Sequence, residues 1–197
     1  YWIVKTNSVG NVEWQNTIGG NNYDYLFSVK QIANGGYILG GYSYSGISGD
    51  KSESSKGYTD YWIIETDSLG DIHWQNTIGG MDYDYLYSVQ QTSDGGYILG
   101  GYSLSNISGD KTENSQGGND YWVVKTNFFG NIQWQNTIGG SGSDDLLSIQ
   151  QTSDGGYILV GSSASNISGD KTENSNLIFD YSMLKIDNFG IIQWQNT

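Results

Sequence analysis

The chain repeats itself every 60 residues. Trp14, Trp74, Trp134 and Trp194 each open the run Trp-Gln-Asn-Thr. Tyr1-Trp2-Ile3-Val4 returns as Tyr61-Trp62-Ile63-Ile64 and as Tyr121-Trp122-Val123-Val124, and the Gly-Gly-Tyr-Ile-Leu run at Gly35 returns at Gly95 and Gly155. A tandem period of this length means that each unit is a supersecondary module burying its apolar surface against its neighbours. One such unit alone buries too little surface to be secure, whereas a stack shares a core.

Local patterning within one period predicts four strands, A to D. In the second unit, Asp84 to Thr92 reads as strand A and Ser93-Asp94-Gly95-Gly96 as a tight turn. Tyr97 to Ser103 is strand B, and its paired Gly100-Gly101 would let a neighbouring sheet approach closely. A polar loop from Leu104 to Asn119 leads to strand C, Asp120 to Asn127, which is apolar on both faces over Trp122-Val123-Val124 and is expected to be covered on both sides. Gly130 suits a left-handed position in the next hairpin, and strand D, Asn131 to Ile138, alternates as a half-wet outer strand does. No segment carries a sustained helical stripe.

Four antiparallel strands joined by hairpins and repeated predict an all-β fold, a β-propeller of four-stranded blades. The competing arrangement is a β-solenoid, whose rungs are usually shorter and lack a turn after every strand. The single repeat domain then divides into a half blade of strands C and D at 1–19 and full blades at 20–79, 80–139 and 140–197. The opening hairpin lacks an A–B pair, so the ring is expected to be incomplete. The chain would then continue into a longer one or associate with itself.

The runs Asp120-Tyr-Trp-Val-Val-Lys-Thr, Gly130-Asn-Ile-Gln-Trp-Gln-Asn-Thr-Ile-Gly-Gly and Ser148-Ile-Gln-Gln-Thr-Ser-Asp-Gly-Gly-Tyr-Ile-Leu resemble the bacterial and archaeal β-propeller repeats often labelled SBBP. In layout they are also similar to NHL-type blades. The resemblance spans essentially the whole chain. It implies a part of a secreted or cell-surface protein, and it says little about activity, because propellers host many unrelated functions.

Composition narrows the classes of partner. The net charge is −13, every basic residue is Lys, and there is neither Cys nor Pro. Nucleic acid is disfavoured, since phosphate neutralisation needs basic patches, and so is anionic lipid. No apolar run is long enough for membrane insertion. Disulfide and thiol chemistry are absent.

Three sets of residues are candidates for function. The B–C loops carry Asp50, Ser52, Ser54 and Asp60, then Asp110, Thr112, Asn114 and Asp120, then Asp170, Thr172, Asn174 and Asp180. Oxygen ligands at alternate positions after an Asp suggest calcium. The match to an EF-hand is poor, with Ser115 where Gly is wanted and Tyr121 where Glu is wanted, and the plain alternative is a loop held by Asx and Ser/Thr turns. Tyr23, Tyr25, Tyr83 and Tyr85 flank the D–A junctions and suit stacking against glycans, although Ser143 and Asp145 replace them in the third full unit. Packing between units is the alternative for these residues, and more strongly for Trp14 and its equivalents, which are expected to be substantially buried. Leu177, Ile178 and Phe179 interrupt a polar loop, and with Tyr1 and Trp2 they are candidates for an interface.

Asp24, Asp84 and Asp144 open strand A and are expected to tether backbone amides. The one histidine, His73, occupies a site held elsewhere by Glu13, Gln133 and Gln193, so it reads as exposed and uninvolved. The usual nucleophile–base arrangements are not available. The expectation is a non-catalytic extracellular or cell-surface scaffold for binding or adhesion, with another protein or glycans as partners. A lectin with one shallow site per blade and a structural subunit of a surface assembly are the alternatives.

Overall fold

The computed structural model describes residues 1–175 and 178–197. Fourteen strands form one two-stranded and three four-stranded antiparallel sheets, with no helix among the described residues. The opening hairpin is β1 (Trp2–Thr6) and β2 (Val12–Thr17). The first full sheet is β3 (Asp24–Gln31), β4 (Tyr37–Ser43), β5 (Asp60–Thr66) and β6 (Ile72–Ile78). The second is β7 (Asp84–Gln91), β8 (Tyr97–Ser103), β9 (Asp120–Thr126) and β10 (Ile132–Ile138). The third is β11 (Asp144–Gln151), β12 (Tyr157–Ser163), β13 (Asp180–Ile186) and β14 (Ile192–Asn196). Spatial order follows chain order within every sheet.

Glycine geometry explains the turns. Gly95 has φ +86° in the A–B hairpin and Gly130 has φ +81° in the C–D hairpin, whereas among the described residues no non-glycine has positive φ. Each hairpin therefore reverses with one left-handed residue rather than the two that a type I′ turn requires. At Gly100 a β-carbon would lie 2.8 Å from Cγ2 of Ile149 on β11, and at Gly40 it would lie 2.7 Å from Cγ1 of Val89 on β7. The paired glycines are where the inner strand of the next sheet comes close.

The sheets stack in sequence order, with β7 lying across β3, β4 and β5, and β11 across β7, β8 and β9. The core is the set of seams between them. Strands β5 and β9 are buried at every residue, as expected for strands covered on both faces. Trp62 and Trp122 are fully buried there. The Tyr1 hydroxyl donates to the Trp62 carbonyl at 3.1 Å, and Tyr61 repeats this on Trp122 at 3.0 Å, so each seam carries the same stitch.

The Trp-Gln-Asn-Thr run is a second stitch. Trp14 donates from Nε1 to the Ser68 carbonyl at 3.1 Å, and Asn16 donates from Nδ2 to the Gly70 carbonyl at 3.0 Å, both in the C–D turn of the next unit. Gln75 accepts from Trp62 Nε1 at 3.0 Å and donates to the Asp50 carbonyl at 2.6 Å, which holds the B–C loop over its own sheet. The tryptophans of this run are less buried than expected. Trp14, Trp74 and Trp134 are half-buried, and Trp194 is 46% exposed. An outer strand leaves one edge of the indole in water.

The sheets do not close into a ring among the described residues. Strand β1 has no strand on its inner side, and an apolar groove lined by Trp2, Ile3, Val4, Trp14, Leu26 and Leu39 lies there.

Candidate functional site

Strands A and B alternate side chains between their faces. Tyr23, Tyr25 and Phe27 therefore share one face, and hairpin register sets Tyr42 directly opposite Tyr25, as it sets Tyr102 opposite Tyr85. The result is a belt of aromatic rings across the inner strands of the first two sheets. Tyr23 stacks on Tyr25 with centroids 6.2 Å apart, Tyr83 on Tyr85 at 5.9 Å, and Tyr58 of the B–C loop on Tyr83 at 5.0 Å. The Tyr58–Tyr83 stack already crosses the seam between the units, and three further contacts carry the belt across it, Tyr42 to Tyr85 at 4.7 Å, Phe27 to Tyr87 at 4.8 Å and Tyr42 to Tyr87 at 6.3 Å. Tyr23, Tyr25, Phe27 and Tyr58 are exposed, and Tyr42, Tyr44, Tyr83, Tyr85, Tyr87 and Tyr102 are half-buried.

The belt is uncharged. Burial, with neighbouring tyrosines adding to it, pushes the Tyr42 hydroxyl up to about 12, and burial raises those of Tyr85 and Tyr102 as well. These hydroxyls keep their protons at neutral pH and can each donate and accept. The Tyr44 and Tyr85 hydroxyls lie 3.3 Å apart, and those of Tyr87 and Tyr102 lie 3.4 Å apart. The structure thus joins all four sequence-predicted tyrosines into one surface with six further aromatics. The period-2 spacing on strand A was a usable sign of these, but the contribution of strand B depends on register. The belt ends at the third sheet, where Asp145, Leu147, Ser162 and Ala164 stand at the corresponding positions.

The B–C loops distribute their oxygens instead of converging them. Asp50 accepts from the Gly19 amide at 3.1 Å, Asp110 from Gly79 at 3.1 Å and Asp170 from Gly139 at 3.3 Å, each pinning the preceding D–A junction. Asp60 and Asp120 instead accept from the amides of Lys56 and Gln116, both at 2.8 Å, inside their own loops. Asn114 and Asn174 cap Ile107 and Ile167 at 3.1 and 3.0 Å. The backbone amides of Ser52, Thr112 and Thr172 donate to Gln75, Gln135 and Gln195. Ser54 joins no such set, and Asp180 opens β13. A lysine takes the interior of each loop. Lys51 donates to the Glu53 carbonyl and the Thr77 hydroxyl, both at 2.7 Å, and stands 5.8 Å from the centre of the Trp62 ring. No group of three or more His, Cys, Asp or Glu residues among the described ones could hold a metal ion.

The interface candidates separate. Tyr1 is buried in the first seam, whereas Trp2 is 69% exposed. Ile178 and Phe179 are 83% and 50% exposed, so neither folds back over its sheet; Leu177 lies outside the described residues. Asp24, Asp84 and Asp144 do tether backbone, accepting from Gly20, Gly80 and Gly140 at 2.7, 2.7 and 2.8 Å. His73 is exposed, yet its Nδ1 lies 3.2 Å from the buried Glu65, so the ring is engaged after all.

No protein-family model matches the chain, and no curated protein matches it. Among solved structures, the chain is similar to a protein of unknown function from Bacteroides caccae. The match has 11% identity and a TM-score of 0.35, over 96% of this chain and 72% of that one.

Proposed function

We propose that the chain is a non-catalytic binding scaffold, a β-propeller or a segment of one, that works outside the cell or at its surface and engages carbohydrate through the aromatic belt. The belt is the observation that carries this reading. Sugar rings present apolar C–H faces to aromatic planes and hydroxyls to polar neighbours, and uncharged tyrosines offer both kinds of contact. Stacked sheets, each crossed by the inner strand of the next, support the propeller, with further strands needed to complete its ring. A glycan array read with wild type, Tyr25→Ala and Tyr85→Ala tests the proposal. The expected outcome is saturable binding that each variant weakens about tenfold or more, with the fold retained at the assay temperature. Glycan binding indifferent to both substitutions would remove the belt from the reading.

A second reading, a subunit of a surface assembly, is favoured by the two end faces. Tyr61 and Tyr121 are buried by the next sheet, but Tyr181 is 87% exposed; Trp62 and Trp122 are buried by the preceding unit, but Trp2 is bare. Tyr181 against Trp2 would continue the repeated stitch, whether supplied by further units or by a second copy. Contact between unlike ends is heterologous, so it gives rings or filaments. Sedimentation across a wide concentration range tests it: association abolished by Tyr181→Asp supports the assembly, and a monomer throughout counts against contact between copies.

A further inference from the structure

One pair of donors is answered differently in two successive seams. The tryptophan of strand D meets the tyrosine that opens strand B of the next sheet. Trp74 and Tyr97 have ring centroids 5.7 Å apart at 61°, and Trp134 and Tyr157 have theirs 6.0 Å apart at 62°. Between the first and second full sheets both donors share one oxygen of the buried Glu65. Its Oε2 accepts from Trp74 Nε1 at 2.9 Å and from the Tyr97 hydroxyl at 2.5 Å. Its Oε1 lies 3.2 Å from His73 Nδ1 and accepts from Asn34 Nδ2 at 3.5 Å.

Sixty residues on, between the second and third sheets, Lys125 stands for Glu65, Gln133 for His73 and Asp94 for Asn34. The Lys125 ammonium meets Asp94 at 2.9 Å, Gln133 Oε1 at 3.0 Å and the Thr126 carbonyl at 2.9 Å. Asp94 and Gln133 occupy the positions of the two residues that meet Glu65 Oε1, so the ammonium takes the place of that oxygen. No side chain takes the place of Oε2. Among the described residues neither Trp134 Nε1 nor the Tyr157 hydroxyl has a hydrogen-bond partner. Both residues line an open cleft of about 360 Å³, with Asp94, Lys125, Gln133 and Phe189. Tyr157 is 2% exposed and Lys125 4%, so the floor of the cleft is fixed by the seam.

An indole N–H can only donate, and the Tyr157 hydroxyl donates while it keeps its proton. Burial, with Asp94 adding to it, pushes that hydroxyl up to about 12, so the proton is kept at neutral pH. The preceding seam shows which acceptor suits this pair, a carboxylate oxygen. An ionised acceptor makes bonds roughly twice as strong as a neutral one. Among the lining residues Asp94 is the one negative group, and it is paired with Lys125. Phe189 and the ring of Trp134 offer apolar surface beside the donors. We infer that the cleft between the second and third sheets binds a small organic carboxylate, one oxygen of which takes the place that Glu65 Oε2 holds in the preceding seam. That oxygen accepts from Trp134 and Tyr157 beside the Lys125 ammonium, and the apolar body of the ligand lies against Phe189. The site shares no residue with the aromatic belt and does not depend on the carbohydrate reading.

Benzoate and benzyl alcohol are the probes, titrated by ligand-observed NMR. Benzoate is expected to bind wild type saturably, and benzyl alcohol, which has the ring without the charge, about tenfold more weakly or worse. Trp134→Phe and Tyr157→Phe each remove one donor and should each weaken benzoate about tenfold. The double variant Asp94→Asn, Lys125→Glu copies the preceding seam, and its own carboxylate should take both donors and abolish binding. Melting curves establish that each variant is folded. Should the double variant not fold, Tyr157→Phe, which loses a single oxygen atom, still decides. Non-saturable binding of benzoate to wild type, equal affinity for the two probes, or undiminished benzoate binding by the folded variants would each overturn the proposal.

Discussion

The Trp14 indole lies over Gly70, where an added β-carbon would sit 2.8 Å from ring atom Cζ3. Trp74 repeats the relationship on Gly130 at 2.8 Å and Trp134 on Gly190 at 3.2 Å. These glycines serve two purposes, since φ near +88° at Gly70 also excludes most side chains on backbone grounds. Gly95 separates the two effects, with φ +86° and nothing within 4 Å of its added β-carbon. Gly95→Ala should cost only the left-handed backbone term, ~1–2 kcal/mol. Gly130→Ala should cost more, because the Trp74 ring must also move. Denaturant unfolding of both variants decides it; equal losses would mean that the indole yields freely.

Tryptophan substitutions should divide by strand rather than by motif. Trp122→Ala removes a fully buried ring, and the expected loss is ~3–5 kcal/mol. Trp194→Ala removes one that is 46% exposed, and should cost under about 1 kcal/mol. Comparable losses at the two positions would show that the outer strand is more enclosed than the seam geometry implies.

The repeat, the four strands and their hairpins were legible because period and turn chemistry are local properties. Strands β8 and β9 begin at the predicted residues, and the burial of β9 on both faces follows from Trp122-Val123-Val124 alone. The aromatic belt was half legible. Tyr23 and Tyr25 show their shared face by spacing, whereas Tyr42 joins them only through register across a hairpin. The role of Lys51 was not legible at all. A lysine in a polar loop reads as solvated, and only the three-dimensional path of the loop carries its ammonium onto Thr77 and beneath Trp62.

That lysine bears on calcium. Burial lowers the pKa of Lys111, while Asp84, Glu113 and Asp120 oppose the shift, so a cationic side chain already answers the local negative charge. Melting temperature should be unchanged by millimolar calcium or by chelator, whereas Lys111→Met should lower it by breaking the bond to Thr137. A calcium-dependent rise of several degrees would show that the loop oxygens rearrange to bind the ion.

The last expectation concerns acid. Asp84 is fully buried; one oxygen accepts from the Gly80 amide at 2.7 Å and the Ser105 hydroxyl at 3.2 Å, and the Ser103 hydroxyl acts on the same carboxylate. Desolvation raises its pKa to about 6, and the Asp60 carboxylate, which also lines the Gly79 junction, adds to the rise. Lys111 is the positive charge that acts on Asp84. A carboxyl raised in the folded state favours folding when protonated. Its contribution is fully present below the unfolded value of 3.8 and is lost as pH rises through about 6. The separation corresponds to at most ~3 kcal/mol. Asp154 acts in the opposite sense. The Thr152 hydroxyl, the Gly156 amide and Lys185 hold it down to about 2, so its contribution is present above 3.8 and fades as pH falls towards 2. Stability should therefore rise from pH 7.5 to pH 5 and fall again below pH 4. Asp84→Asn, which cannot ionise, should make the upper limb shallower without removing it, since burial also raises Asp60, Asp120 and Asp145, and should leave the lower limb. Melting curves of both proteins at pH 7.5, 5 and 3 test this; a wild type equally stable at pH 7.5 and 5 would show that the buried carboxyl finds compensation elsewhere in the seam.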